Sequence, residues 1–206
     1  DPLMAEIAYN RYGAYCVPLS SRHRPAAQCV LGFRVWEPDI IELIRTHCGE
    51  GDVVHAGTFF GDFLPAISAA ASPRAFVWAF EPNRENYRCA EITVLLNGLA
   101  NVRLMNAGLG AASSSEMLFT ADRSGRALGG GSTLVADDRH CGNGERVELV
   151  AIDEVIPNDR SVSVLQLDVE DYEEPALRGG LRTIERCRPL IILEERPGSG
   201  LLASSF

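Results

Sequence analysis

Two glycines four residues apart, Gly57 and Gly61, lie in the segment His55-Ala56-Gly57-Thr58-Phe59-Phe60-Gly61, directly after the run Asp52–Ala56. Glycine lets a chain turn tightly and approach a ligand, and a helix that starts after such a loop points its positive end at that ligand. Close packing of a helix on a strand produces the same Gly-x-x-x-Gly spacing, so the loop alone has two readings. Glu81 follows 20 residues after Gly61, at the end of a second apolar run, Ala75–Phe80. A carboxylate there can accept hydrogen bonds from both hydroxyls of an adenosine ribose, and loop plus carboxylate point to a nucleoside-type cofactor. Neither Gly-x-Gly-x-x-Gly nor Gly-x-x-x-x-Gly-Lys occurs, which disfavours dinucleotides and ATP.

Other polar residues end apolar runs in the same way. Asn106 follows Asn101–Met105, Asp168 follows Ser161–Leu167, and Glu194 with Glu195 follows Pro189–Leu193. Asp168 is the leading candidate to orient or deprotonate an acceptor hydroxyl; capping the next helix or pairing with an arginine is its alternative, and an ordinary aspartate is a weak base. His55 can hydrogen-bond a cofactor, act as a base, or pack as a satisfied strand-end histidine. Glu170, Asp171, Glu173 and Glu174 form an acidic cluster of the kind a helix N-terminus favours for dipole reasons, so no metal is assigned. His140-Cys141 is an adjacent pair of soft ligands with no second pair near it. Phe59 and Phe60 can wall a pocket or fill the core; Trp36, Glu37 and Tyr87 receive no role.

These residues need elements to bring them together. From about Glu37 onward, buried-strand runs alternate with helix-period segments, the pattern of a parallel sheet covered on both faces. The expected helices are Pro38 to about His47, Asp62 to Ala71, a segment capped by Asn83 and ended by Asn97-Gly98, and Glu173 to Glu185. Arg146–Val150 reads as a short strand and Ile152–Ile156 as a helical turn. Ser113-Ser114-Ser115 and Gly129-Gly130-Gly131 mark residues 107–145 as an excursion, expected to be a mobile lobe or lid. In an open parallel sheet, ligands bind beyond the C-terminal strand ends where the strand order reverses, which selects the residues above.

The chain has 206 residues, 46% of them hydrophobic, enough for one globular domain. A formal charge of −9 argues against nucleic acid and anionic membrane surfaces as partners. No apolar run approaches the roughly 20 residues that span a bilayer, and the first residues do not read as a signal peptide, so a cytoplasmic location is expected. The six cysteines are scattered without a Cys-x-x-Cys pair and read as reduced, packed thiols.

The stretch Asp52 to Asp62, then Phe80-Glu81-Pro82-Asn83 with Asn86 and Asn97-Gly98, then Leu167-Asp168-Val169-Glu170-Asp171-Tyr172-Glu173 and Arg188-Pro189 before Glu194, resembles the FkbM family of S-adenosylmethionine-dependent methyltransferases. The likeness spans about residues 37–195, after an N-terminal extension of residues 1–36; residues 37–206 form the expected cofactor-binding domain. It implies an α/β, Rossmann-like, mostly parallel sheet with helices on both faces, S-adenosylmethionine as cofactor, and O-methylation of a sugar, polyketide or other secondary metabolite. His55, Gly57, Thr58, Gly61, Glu81, Pro82, Asn83 and Asn106 fall at cofactor positions, and Asp168, Glu173 and Glu194 on the acceptor side. The family loop reads Asp-x-Gly-Ala-Asn-x-Gly, so His55 stands for its Asp and Thr58-Phe59 for Ala-Asn. Two further strands are ordinarily expected after the fifth. A small-molecule acceptor bearing a hydroxyl is the implied partner, and a homo-oligomer is left open. The competing readings are a non-catalytic binding module with an altered loop and a nicotinamide-dependent oxidoreductase.

Overall fold

The computed structural model describes residues 2–134 and 144–194. His140-Cys141, Glu195 and the Pro197–Gly200 stretch lie outside the described residues.

The chain opens with an antiparallel hairpin of β1 (Ala5–Asn10) and β2 (Gly13–Pro18), followed by α1 (Pro25–Leu31) and α2 (Pro38–His47). Then come β3 (Asp52–Ala56), α3 (Leu64–Ala70), β4 (Val77–Phe80), α4 (Arg84–Asn97) and β5 (Val102–Met105). The excursion supplies β6 (Gly108–Leu109) and β7 (Ser114–Leu118), which join β8 (Glu145–Val150) in a small three-stranded sheet. The chain continues through α5 (Ile152–Val155), β9 (Val162–Leu167), α6 (Glu173–Arg178), α7 (Leu181–Cys187) and β10 (Leu190–Leu193).

Five strands form one parallel sheet in the order β10-β9-β3-β4-β5. Their apolar runs explain the arrangement: β3 is buried at every position, as a strand covered on both faces must be. One core layer packs Ile41, Ile44, Leu64 and Ile67 against β3 and β4, and the other packs Phe80, Leu109, Ile152, Leu165 and Leu177 on the opposite face. The chain runs outward from β3 through β4 to β5, then returns to the other side of β3 as β9 and β10. The strand order therefore reverses between β3 and β9, opening a crevice at their C-terminal ends.

Local chemistry fixes the helix ends. Asn83 Oδ1 accepts from the backbone N–H groups of Glu85 (3.0 Å) and Asn86 (3.1 Å), and Gly98 ends α4 in the left-handed conformation. The single helix expected over 173–185 is instead two, broken at Gly179-Gly180. A Cβ on Gly179 would lie 2.0 Å from the Gly110 carbonyl oxygen, and its own carbonyl accepts from Asp153 N at 2.8 Å. That close backbone approach, not helix propensity, sets the conformation there.

Residues of the first hairpin pack on α4. Asn97 Oδ1 accepts from Ala14 N (2.9 Å) and Thr93 Oγ1 from Cys16 N (3.0 Å). At the N-terminal end of the sheet, buried Asp52 accepts from Phe76 N (2.8 Å), Trp78 Nε1 (2.8 Å) and Arg160 Nε (2.9 Å). The described cysteines are unpaired thiols, four buried and Cys187 partly so. No helix among the described residues is long and apolar enough to cross a membrane.

Candidate cofactor and acceptor site

The crevice is built first from backbone. Gly57 has φ +82°, and its N–H and that of Thr58 both donate to the Phe80 carbonyl at 3.2 Å, tying the loop after β3 to the end of β4. A Cβ on Gly57 would lie 1.8 Å from the carbonyl oxygen of Asp168, so this glycine is required by the approach of two strand ends. Between the two glycines, Phe59 takes a left-handed φ of +52° and donates its N–H to Glu81 Oε2 at 2.7 Å.

Glu81 is buried. Its Oε1 accepts from Asn83 N (2.9 Å) and Asn86 Nδ2 (3.4 Å). Burial pushes its carboxyl up to about 8, and the donors around it pull in the opposite direction. A carboxylate has about four acceptor positions; three are used within the protein, so one on Oε2 is left for a ligand. Asn106 does not reach the crevice: its Nδ2 donates to the Glu81 (2.8 Å) and Pro82 (3.1 Å) carbonyls and locks the strand end.

Two cavities occupy the crevice. The smaller, about 30 Å³, is walled by Phe80, Pro82, Leu109, Leu118 and Leu134, with Glu81 at its edge. The larger, about 150 Å³, has the rings of Trp36, Phe59 and Phe63 on one side. Five carboxylates face it, Glu37, Asp62, Asp168, Glu170 and Glu194, against the guanidinium of Arg24 as its only Lys or Arg among the described residues. Gly57, Gly130, Asp168 and Glu170 border both cavities.

Electrostatics in the larger cavity follow from this crowding. Burial drives the Asp168 carboxyl well above the usual carboxylate range, helped by the hydrogen bond and negative charge of Glu194 and by Glu37 and Glu173. The two carboxyls, on the ends of adjacent strands β9 and β10, are hydrogen-bonded to each other. Burial raises Asp62 to about 7, with Glu37 adding to the rise. Glu173 does not line the cavity; its Oε1 accepts from Val169 N at 3.0 Å and shapes the loop after Asp168.

His55 is buried, and its ring stacks on Phe63 at 5.3 Å. Its Nδ1 pairs with Gln166 Oε1, the residue beside it on β9. Since the amide oxygen only accepts, the proton is on Nδ1 and Nε2 carries the lone pair; Nε2 has no partner among the described residues. Burial pushes this imidazole down to about 4, only partly offset by Gln166, so the ring is neutral.

A turn at Gly129–Gly131 crosses between the cavities. Asn86 Nδ2 donates to the Gly129 carbonyl at 3.1 Å, and Asn83 Nδ2 to Ser132 Oγ at 3.2 Å. The three glycines are explained by contact: Cβ atoms there would meet Ser21 and Phe59 at Gly129, the Phe59 ring at Gly130, and Arg24 at Gly131.

Of the residues singled out in the sequence, the structure gathers His55, Gly57, Glu81, Pro82, Asp168 and Glu194 around the two cavities. Thr58, Gly61, Asn83, Asn106 and Glu173 line neither, and act on the shape of the loops. Sequence reasoning missed Arg24, Trp36, Glu37, Asp62 and Gln166. Only Gln166 left a signal, as a polar residue inside an apolar strand two positions before Asp168, hence on the same face.

The profile of the family described as Methyltransferase FkbM domain matches residues 47–200, about three quarters of the chain. A crystal structure of methyltransferase FkbM from Methylobacillus flagellatus KT is similar with a TM-score of 0.53 and 19% identity, covering 74% of this chain and 35% of that one. The chain therefore spans about a third of that protein's length, and the likeness shows the fold. A SAM-dependent methyltransferase from Aquifex aeolicus aligns at TM-score 0.41 and 16% identity, over 79% of this chain and 68% of that one. The N-terminal domain of EvdMO1, solved with SAH and D-fucose, aligns at 0.38 and 14%, over 76% and 50%. No curated protein matches the sequence significantly.

Proposed function

Because the chain belongs to the FkbM methyltransferase family, whose cofactor is S-adenosylmethionine, we propose that it transfers a methyl group from that cofactor to a hydroxyl of a small molecule. The observation that carries the reading is the crevice where the strand order reverses, with Gly57 and Glu81 on one side and the Asp168–Glu194 pair on the other.

The residues fit the cofactor in chemistry. An apolar recess beside Glu81 suits adenine, and Oε2 of Glu81 has an acceptor position for one ribose hydroxyl. Five carboxylates against one guanidinium suit a ligand that carries a sulfonium and an ammonium. In size they fit only after a shift. Both cavities together fall well below the ~300 Å³ at which small-molecule sites usually begin, so the Gly129–Gly131 turn moves when the ligand enters.

When bound, S-adenosylmethionine supplies an electrophilic methyl group on sulfur. The chain's residues do the rest. The carboxyl pair of Asp168 and Glu194 hydrogen-bonds the acceptor hydroxyl and orients its oxygen, since alignment is the main demand of methyl transfer. The cluster of Glu37, Asp168 and Glu194 would receive the hydroxyl proton, being the carboxyl groups that crowd the acceptor side of the cavity. Trp36, Phe59 and Phe63 keep water from the larger cavity. Sugars, polyketides and other secondary metabolites are the acceptor class, and the −9 charge disfavours nucleic acid.

Incubation with ¹³C-methyl S-adenosylmethionine and a panel of such hydroxyl compounds tests the proposal. A new O-methyl resonance with stoichiometric S-adenosylhomocysteine supports it. Methyl transfer only to amines or thiols would overturn the hydroxyl assignment.

A further inference from the structure

We propose that Arg24 holds the α-carboxylate of the cofactor's methionine end, with Glu170 facing the ammonium of the same end, so that the N-terminal segment completes the cofactor site. The inference rests on the cofactor reading and adds to it the residues that take the amino-acid group. Arg24 lines the larger cavity together with five carboxylates, yet its guanidinium makes no hydrogen bond or ion pair among the described residues. A guanidinium carries five N–H donors in a fixed fork that fits a carboxylate with two parallel bonds. Donors of that kind, held in a cavity without an acceptor, mark the place of an anion.

The guanidinium is placed by backbone at both ends of its reach. Arg24 N donates to the Ser21 carbonyl (2.9 Å), the Arg24 carbonyl accepts from Gln28 N (2.9 Å), and Pro25 opens α1 directly after it. At the far end, a Cβ on Gly131 would lie 2.6 Å from Arg24 Nη2 and 3.3 Å from Glu170 Oε1. The two charged ends therefore flank one bare Cα without pairing with each other. Glu170 is buried and held in a left-handed φ of +56°, and its carbonyl accepts from Thr133 Oγ1 at 3.0 Å. A simple anion on Arg24 would be opposed by the neighbouring Glu170 carboxylate. An α-amino acid is not, because its carboxylate and ammonium leave the same carbon and one ligand group serves both side chains. S-adenosylmethionine ends in such a group, and its carboxylate meets no other Lys or Arg among the described residues of this cavity. Arg24 precedes residues 47–200, so the contact lies outside the stretch that the family profile describes.

Calorimetric titration of the full chain with S-adenosylhomocysteine and with 5′-methylthioadenosine, which keeps the adenosyl part but has no amino-acid end, tests the inference without turnover. Arg24→Met should weaken S-adenosylhomocysteine by about tenfold or more, the loss of a hydrogen-bonded charge pair. The same variant should bind methylthioadenosine as the parent does, since that ligand lacks the group Arg24 would hold. Arg24→Lys keeps the charge but not the fork, so it should fall between parent and Arg24→Met, and it keeps the test open if the Met variant does not fold. Arg22→Met, exposed on the same segment, should bind both ligands as the parent does. Equal losses for the two ligands in a folded Arg24 variant, or no loss for either, would overturn the inference. Methylthioadenosine binding by the parent separates the two failures: if it persists while the Arg24 variants lose nothing, the carboxylate anchor fails and the cofactor reading stands. A parent chain that binds neither ligand overturns both.

Discussion

The backbone N–H of Phe59 donates to Glu81 Oε2 at 2.7 Å, so the loop after β3 and the carboxylate after β4 are one hydrogen-bonded unit. Glu81 therefore serves the fold as well as the cofactor. Glu81→Ala is expected to weaken S-adenosylmethionine by roughly 10- to 150-fold and to cost about 1 to 3 kcal/mol of stability, because buried donors lose their acceptor. A 2′-deoxyadenosyl or 3′-deoxyadenosyl analogue separates the two effects. The one that lacks the contacted hydroxyl should bind the parent poorly but lose little more in the variant. Additive losses with both analogues would mean that Glu81 does not touch the ribose.

Stability should fall as pH rises above neutrality. Asp62 and Glu81 are raised by burial to about 7 and about 8, above their unfolded values, so the folded chain holds protons that the unfolded chain has released. Their contribution is intact below the unfolded carboxylate range and is lost as pH rises through 7 to 8. His55, lowered to about 4, has the opposite slope, but only below its unfolded value near 6.5. The melting temperature of the free protein should thus drop by roughly 5 °C between about pH 6.5 and 8.5. Calorimetric scans that are flat over this range would contradict protonated, buried carboxyls there.

Arg160 offers a test remote from the crevice. It pairs with Asp52, whose carboxylate is buried at the opposite end of the strands. Arg160→Met should cost about 2 kcal/mol, near or below the low end for a broken buried pair, because Phe76 N and Trp78 Nε1 still donate to Asp52. Cofactor affinity should be unchanged. Denaturant unfolding and a binding titration on the same variant check both halves.

The Gly129–Gly131 turn is expected to be displaced by ligand. The amides of Gly131 and Ser132, which donate to Leu128 and Gly129 carbonyls, should change their hydrogen exchange when S-adenosylhomocysteine binds. Unaltered exchange across residues 128–133 at saturation would mean that the ligand enters elsewhere.

Much of the frame was legible because its signals are local. The runs Asp52–Ala56, Ala75–Phe80 and Ser161–Leu167 are apolar and bounded by turn residues, and they deliver Gly57, Glu81 and Asp168 to the crevice. Asn83 and Gly98 announced both ends of α4. What sequence could not supply is non-local. Arg24 and Trp36 enter the cavity from the N-terminal segment with no periodicity to mark them, and Asp62 reads as an ordinary residue at a helix start. The break at Gly179-Gly180 depends on the Gly110 carbonyl, some seventy residues earlier. Asn106 turns toward the Glu81 and Pro82 carbonyls because they need a donor, which only the folded strand end reveals.

The central claim is that a cationic adenosyl cofactor enters the acid-lined crevice between β3 and β9. Calorimetric titration of the full chain with S-adenosylmethionine, repeated in buffers of different ionisation enthalpy, tests it most directly. The account predicts saturable binding of one molecule per chain, with heats that differ between buffers. A cation placed among Asp62, Glu81 and Asp168 drives protons off carboxyls whose affinity for them burial has raised. No heat of binding at millimolar cofactor in any buffer would contradict it.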